Sequence, residues 1–245
     1  MLRTARDLVY RVLYRGTGRW CPVCEQPSRR FRPFGVDARR DEAMCVHCGA
    51  LERHRLLWLF FNRMTKLFAG PPGPHGPRAG TSFLHIAPER CFEPRLRKRL
   101  GAGYLTADLE DPSADVRMDV TRIEYPDASF DVVYCSHVLE HVPDDRKALR
   151  EFHRVLRRDG WAIILVPITV DATIEDPTET DPKERLRRFG QDDHFRRYGP
   201  DFLDRLRAAG FNVRVVRVAE VASPSEASLM GLTAASGEIF YCTKA

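Results

Sequence analysis

The chain has 245 residues, 43% of them hydrophobic and 10% aromatic, with a net charge of +5. That is apolar material for one ordinary core and a small appended module, and it excludes wholesale disorder. The first fifteen residues are broken by Arg3, Arg6, Asp7 and Arg11, and the longest apolar run near the start is Leu56 to Phe61, so neither a membrane span nor a secretory leader is expected.

Residues 2–14, LRTARDLVYRVLY, space Leu2, Leu8, Val9, Val12 and Leu13 helically between arginines, predicting an amphipathic helix that packs on its own domain or lies on a membrane surface. A cysteine-paired stretch, 19–50, follows. Then LERHRLLWLFFNRMTKLF, 51–68, predicts a helix with a broad apolar face. The segment AGPPGPHGPRAG, 69–80, holds four prolines and four glycines and reads as a linker. The expected division is therefore 1–68 as a front module, 69–81 as linker and 82–245 as the main domain. Charge follows this division: up to Leu67 there are 14 Lys and Arg against 6 Asp and Glu, and after it 25 against 28. A basic front on a slightly acidic body fits either attraction to phosphate or a merely solvated arginine face.

Beyond the linker the predicted order is strand 82–87, helix 90–100, strands 103–108, 115–120 and 130–136, helix 144–158 and strand 161–167. A long polar excursion with a mobile-looking acidic middle comes next, then helix 199–209, strand 211–221 and strand 237–243. Strands alternating with helices predict an α/β fold: a doubly wound, mostly parallel, Rossmann-like seven-stranded sheet covered on both faces. The last two strands, joined without an evident helix, suggest an antiparallel addition at one edge.

Seven cysteines fall into two groups. Cys91, Cys135 and Cys242 are isolated, whereas CPVC and CVHC place Cys21, Cys24, Cys45 and Cys48 in a C-x2-C-x20-C-x2-C pattern. Without a leader these are not expected to be disulfides. The spacing lets two turns present four thiolates to one tetrahedral Zn2+, and four sulfur ligands leave no open position, so the zinc is expected to be structural. A Cys3His set using His47 or His54 is the lesser alternative, as are cysteines that bind nothing. The intervening SRRFRPFGVDARR mixes five arginines with two phenylalanines, which suits nucleic acid as well as a lid over a substrate site.

In a doubly wound sheet, ligands bind beyond the carboxyl ends of the strands. Asp108, with Leu109 after it, ends the second strand at the spacing where an acid accepts from a ribose diol. Asp119 and Val120 follow the third, where an adenine amino group would lie, and Ser136 and His137 follow the fourth. The first turn, in SFLHIAPERCF (82–92), has no glycine.

The run MDVTRIEYPDASFDVVYCSHVLEHVPDDRKALREFHRVLRRDGWAIILVP resembles the central block of class I S-adenosylmethionine-dependent methyltransferases of the type 11 group, over about 82–168 and more loosely over 199–243. The resemblance implies that Asp108 holds the cofactor ribose, that Asp119 and Val120 border the adenine, and that Ser136 and His137 lie near the reactive methyl. Where relatives carry an acid and two glycines, this chain has His85, Ala87 and Glu89, with Pro88 between; a rigid, slightly wider turn is expected to serve if Glu89 accepts the methionine ammonium.

Methyl transfer requires alignment and exclusion of water, with a base only where the acceptor must lose a proton. His137, His141 and His194 are the candidates, with Glu140 behind them. Arg196 and Arg197, with Tyr198 beside them, are candidate acceptor contacts through guanidinium geometry. The leading expectation is a cytoplasmic methyltransferase for a small-molecule or peptide acceptor. An RNA methyltransferase docking through the arginine-rich stretch, and a scaffold that binds no cofactor, are the alternatives.

Overall fold

The computed structural model describes residues 9–10, 12–35, 39–68 and 81–245. The segment 69–80 lies outside them, as does most of the helix expected over 2–14, of which residues 9, 10, 12 and 13 are helical. No helix among the described residues is long and apolar enough to cross a membrane. Two compact units divide the chain. One comprises Met1–Arg78, Glu89–Arg99 and Val216–Glu238; the other comprises Ala79–Pro88, Leu100–Val215 and Ile239–Ala245.

The second unit holds a seven-stranded sheet whose strands are numbered here within that sheet: β1 Phe83–Ile86, β2 Tyr104–Asp108, β3 Val116–Arg117, β4 Phe130–Ser136, β5 Leu156–Leu165, β6 Phe211–Val216 and β7 Ile239–Lys244. They lie side by side in the order β6-β7-β5-β4-β1-β2-β3. The pairs β1/β2, β1/β4, β2/β3 and β4/β5 are parallel, and β7 runs antiparallel to β5. Every residue of β1 is buried, and so are six of the seven in β4. Such continuous burial is what a central parallel strand covered on both faces requires. The fold is thus the doubly wound α/β sheet expected from the alternation of elements.

Three expectations need correction. The helix after β4 spans only Asp145–Val155, and the chain passes straight into β5 at Leu156, which pairs with Phe130. The strand expected to reach 221 ends at Val216, and Val218–Val221 is a helical turn closed by Glu220 Oε1 accepting from Arg217 N at 2.9 Å. The stretch after it is not helix-free: Pro224–Leu229 is a helix capped reciprocally by Ser223 and Glu226, with proline in its first turn. As expected, the last two strands lie together at one edge of the sheet, β6 outermost and β7 antiparallel to β5.

The excursion after β5 is ordered by its own charges. Ile174–Glu175 pairs antiparallel with Arg196–Arg197. Helix Pro182–Phe189 starts on Asp181, whose carboxylate accepts from Lys183 N, and stops on Gly190 at φ +87°. Arg188 reaches Asp176 at 2.7 Å and Arg185 Nε donates to the Glu179 carbonyl at 2.8 Å.

The first unit is built on two short hairpins, Arg19–Cys21 with Gln26–Ser28 and Arg32–Phe34 with Arg40–Met44, followed by helix Glu52–Arg63. Trp58 of that helix stacks on Phe92 at 5.7 Å between ring centroids. Arg55 is fully buried, and its guanidinium donates to the carbonyls of Ala43, Ala50, Met230 and Gly231 at 2.6 to 3.0 Å while lying 4.0 Å above the Phe31 ring. A buried cation is tolerated only when its donors are satisfied in this way. Gly231, at φ +59°, leaves room for that stack: a Cβ there would stand 3.0 Å from the Phe31 ring.

Candidate functional site

The sheet reverses its winding between β1 and β4, and at the carboxyl ends of β1, β2 and β4 and the loop after β3 the second unit encloses a cavity of about 670 Å³. This is the crevice where open α/β sheets bind ligands. Asp108 ends β2 on the cavity wall. Its Oδ1 accepts from the amides of Glu110 and Asp111, both at 2.8 Å, which closes the turn; Oδ2 has no hydrogen-bond partner among the described residues. Asp119 repeats the arrangement after β3, its Oδ1 accepting from Thr121 N and Thr121 Oγ1 at 2.8 Å each and its Oδ2 left over. Each acid therefore spends one oxygen on its own loop and keeps the other.

Ala87 and His137 line the cavity from left-handed backbone, at φ +49° and +57°. Left-handed residues other than glycine are uncommon and concentrate where the surrounding structure enforces them at functional sites. The turn after β1 thus adopts the conformation for which glycine is the usual residue, with alanine in its place. Ala87 N donates to the Ala107 carbonyl at 2.9 Å, tying the turn to β2. Leu109 and Val120 also line the cavity.

Other residues picked out in the sequence lie elsewhere. His85 is fully buried beneath the sheet surface, 2.6 Å from the Tyr104 hydroxyl and 4.7 Å from the Tyr134 ring centroid. Ser136 is buried with its Oγ 3.1 Å from His137 Nδ1, and neither it nor Pro88 lines the cavity. Glu89 belongs to the first unit, where its Oε1 stands 3.7 Å from His54 Nε2.

Arg196 and Tyr198, considered as acceptor contacts, are struts. Arg196 is 1% exposed and donates to the carbonyls of Leu139, Val142 and Pro143 and to Glu175. Tyr198 donates to Asp145 Oδ2 at 2.8 Å, and burial followed by the Asp145 charge holds its hydroxyl well above the ordinary phenol range. Arg205 completes the cluster, 2.8 Å from both Asp145 and Glu175. Arg197 is held by Thr169. Sequence pattern alone marks such arginines as grips because it does not show their carbonyl partners.

His141 lines the cavity with Asp193, whose Oδ2 lies 2.8 Å from its Nδ1. His194 stands behind, its ring edge-on to His141 at 4.5 Å. Burial, then the neighbouring His141, pushes its pKa down. The cavity also receives Glu110, Asp144, Lys147 and Arg185, which the sequence reading passed over. Lys147 and Asp144 had a signal: both belong to the start of the helix after β4. Five acids to two bases leave the wall net acidic, an environment suited to a cationic ligand.

In the first unit the four predicted cysteines converge. The sulfurs of Cys21 and Cys48, and of Cys24 and Cys45, are 3.7 Å apart, and all four lie within 4.8 Å of one another. A tetrahedron with zinc–sulfur bonds of about 2.3 Å has sulfur–sulfur edges of about 3.8 Å, so the donor set matches that ion, whereas a disulfide needs about 2.05 Å. Hydrogen bonds from Cys21, then Cys24 and Cys48, hold the Cys45 sulfur as thiolate, far below the ordinary thiol range. His47 Nε2 instead sits 3.0 Å from the Pro27 carbonyl oxygen, and His54 Nδ1 accepts from Leu51 N, so neither histidine joins the cluster. Of the aromatic residues between the cysteine pairs, Phe31 is fully buried and Phe34 is exposed.

Residues 98–164 match the family described as Methyltransferase domain. An uncharacterized methyltransferase, YcgJ, of Bacillus subtilis is 34% identical over 74 residues, 30% of this chain and 28% of that protein. The 27-O-demethylrifamycin SV methyltransferase of Amycolatopsis mediterranei is 43% identical over 54 residues, 22% of this chain and 20% of that protein. The chain thus matches less than a third of the length of these curated relatives. Among solved structures, an S-adenosylmethionine-dependent methyltransferase from Mesorhizobium loti is similar at 16% identity with a TM-score of 0.49, over 76% of this chain and 97% of that one.

Proposed function

We propose that this chain is an S-adenosylmethionine-dependent methyltransferase acting on a small-molecule or peptide acceptor, and that its four-cysteine cluster holds a structural zinc ion. The observation that carries the first part is the pair Asp108 and Asp119, each with one carboxylate oxygen uncommitted on the same cavity, within a chain matched by the methyltransferase family. The residues present fit the cofactor. Asp108 would accept from the ribose hydroxyls and Asp119 from the adenine amino group, with Val120 and Leu109 as apolar walls. The net acidic wall suits a ligand bearing sulfonium and ammonium charges. The left-handed turn at Ala87 supplies the backbone course that relatives obtain from glycine. Glu89 is not needed in this arrangement, so the ammonium falls to the acids of the second unit.

When bound, the cofactor supplies an electrophilic methyl group on a sulfonium. The chain's own tasks are to align an acceptor beside it, to exclude water, and where needed to remove a proton. His137, fixed by strained backbone, and His141, oriented by Asp193, are the imidazoles on the cavity able to accept one; His194 backs His141. A small acceptor is supported by the Amycolatopsis relative, which is named for 27-O-demethylrifamycin SV.

Calorimetry with S-adenosylmethionine and with its demethylated product tests the reading directly. Binding of both at one site per chain is the expected result. Absence of heat with either would reduce the second unit to an α/β domain without this ligand.

A further inference from the structure

Three donors that the cofactor reading does not require meet at one edge of the cavity. Glu140, His141 and His194 each offer a ligand atom, and these atoms lie within 4.8 Å of one another. The elements that carry them are locked together: Phe195 N donates to the Glu140 carbonyl at 2.9 Å, and Arg196 Nη1 donates to the Leu139 carbonyl at 2.7 Å. His194 is 6% exposed, and its Nε2 is fully shielded with no hydrogen-bond partner among the described residues. A buried polar atom left in this state calls for a specific reason, such as an ion. Asp193 meets His141 Nδ1 at 2.8 Å, which leaves the lone pair on His141 Nε2. A carboxylate on the far nitrogen is how ligating histidines are commonly oriented.

We propose that Glu140, His141 and His194 form a second metal site, distinct from the cysteine cluster, for a divalent transition-metal ion of the zinc or nickel kind. Two imidazoles and one carboxylate select such ions over magnesium or calcium, which prefer all-oxygen sets. Three protein ligands leave further coordination positions, and since His141 lines the cavity these fall to water or to an oxygen of the acceptor. An ion there lowers the pKa of a coordinated hydroxyl. His141 then serves as a ligand, and His137 remains the proton acceptor on the cavity. The metal site stands without the methyl-transfer reading; only its use on a hydroxyl acceptor rests on that reading.

The test uses untagged, full-length protein loaded with one equivalent of zinc, which the four thiolates take first, desalted, and titrated with Ni2+ by calorimetry without cofactor. One Ni2+ per chain beyond the zinc is expected, with affinity falling at least tenfold in His141→Ala and in His194→Gln, and about ten- to a hundredfold in Asp193→Asn. Should His194→Gln fail to fold, His141→Ala carries the test, because that side chain is 36% exposed. No uptake of Ni2+, or uptake unchanged in both histidine variants, overturns the proposal. Methyl transfer is not read, so a failed cofactor assignment leaves this outcome interpretable.

Discussion

Replacing Asp108 by asparagine separates ligand binding from turn formation. The carboxylate Oδ1 closes the turn after β2 through two amides at 2.8 Å, and an asparagine Oδ1 accepts the same pair. Only Oδ2 changes, from an acceptor to a donor. One hydrogen bond to a charged group is worth about 1.5–3 kcal/mol, and about 1.4 kcal/mol is tenfold in affinity. Asp108→Asn should therefore weaken binding of S-adenosylhomocysteine by about ten- to a hundredfold in calorimetry. Its urea midpoint should shift little, whereas Asp108→Ala, which loses the turn as well, should lower both. Asparagine binding within twofold of the parent, at an unshifted urea midpoint, would remove Asp108 from the ligand and with it the present placement of the ribose.

Ala87→Gly relieves a left-handed conformation costing an L-residue about 1–2 kcal/mol but frees the unfolded chain by about 0.4–1 kcal/mol; the net expectation is a gain of up to about 1.5 kcal/mol by urea unfolding, and a loss contradicts the strain. Asp145→Ala takes one of two carboxylates from buried Arg205 and leaves the Tyr198 hydroxyl unpaired, so stability should fall by about 1–3 kcal/mol and the melting temperature by about 2–12 °C in circular dichroism; an unchanged melt refutes the network's role. Native mass spectrometry should find one zinc that Cys45→Ser releases while the melting temperature drops, and a parent chain without zinc counts against the cysteine reading. Glu226, held down to about 2 by the Arg63 guanidinium and then by Ser223, has a folded pKa below its ordinary 4.5. Its contribution is thus complete above about pH 4.5 and is lost as pH falls through about 2. A carboxyl titration by nuclear magnetic resonance with a midpoint near 4.5 would deny the pairing.

The strands along the chain were legible because FLHI, VVYC and WAIIL are mostly apolar stretches bounded by turns, and because Asp108 and Asp119 fall at or just past strand ends. The cysteine pairs were legible because ligand spacing is local. The reading failed where a residue's role depends on remote partners. Nothing adjacent to Arg196 reveals that it is consumed by Leu139, Val142 and Pro143, and His85 looked like a pocket residue until Tyr104 and Tyr134 enclosed it. The helix at Pro224 had its cap, Ser223 with Glu226, in plain view; the glycine and serine around it masked the signal.

The interleaving of the two units bears on how the protein can be divided. Trp58 stacks on Phe92, Arg63 pairs with Glu226, and Arg55 reaches Met230 and Gly231, so the cysteine-bearing unit recruits pieces of chain from far downstream. Cleavage between residues 69 and 81 would sever one covalent connection yet leave both halves associated. A fragment starting after that cut and expressed alone would carry Phe92 as bare greasy surface, prone to clumping, where the intact chain keeps it dry under Trp58 and Phe61.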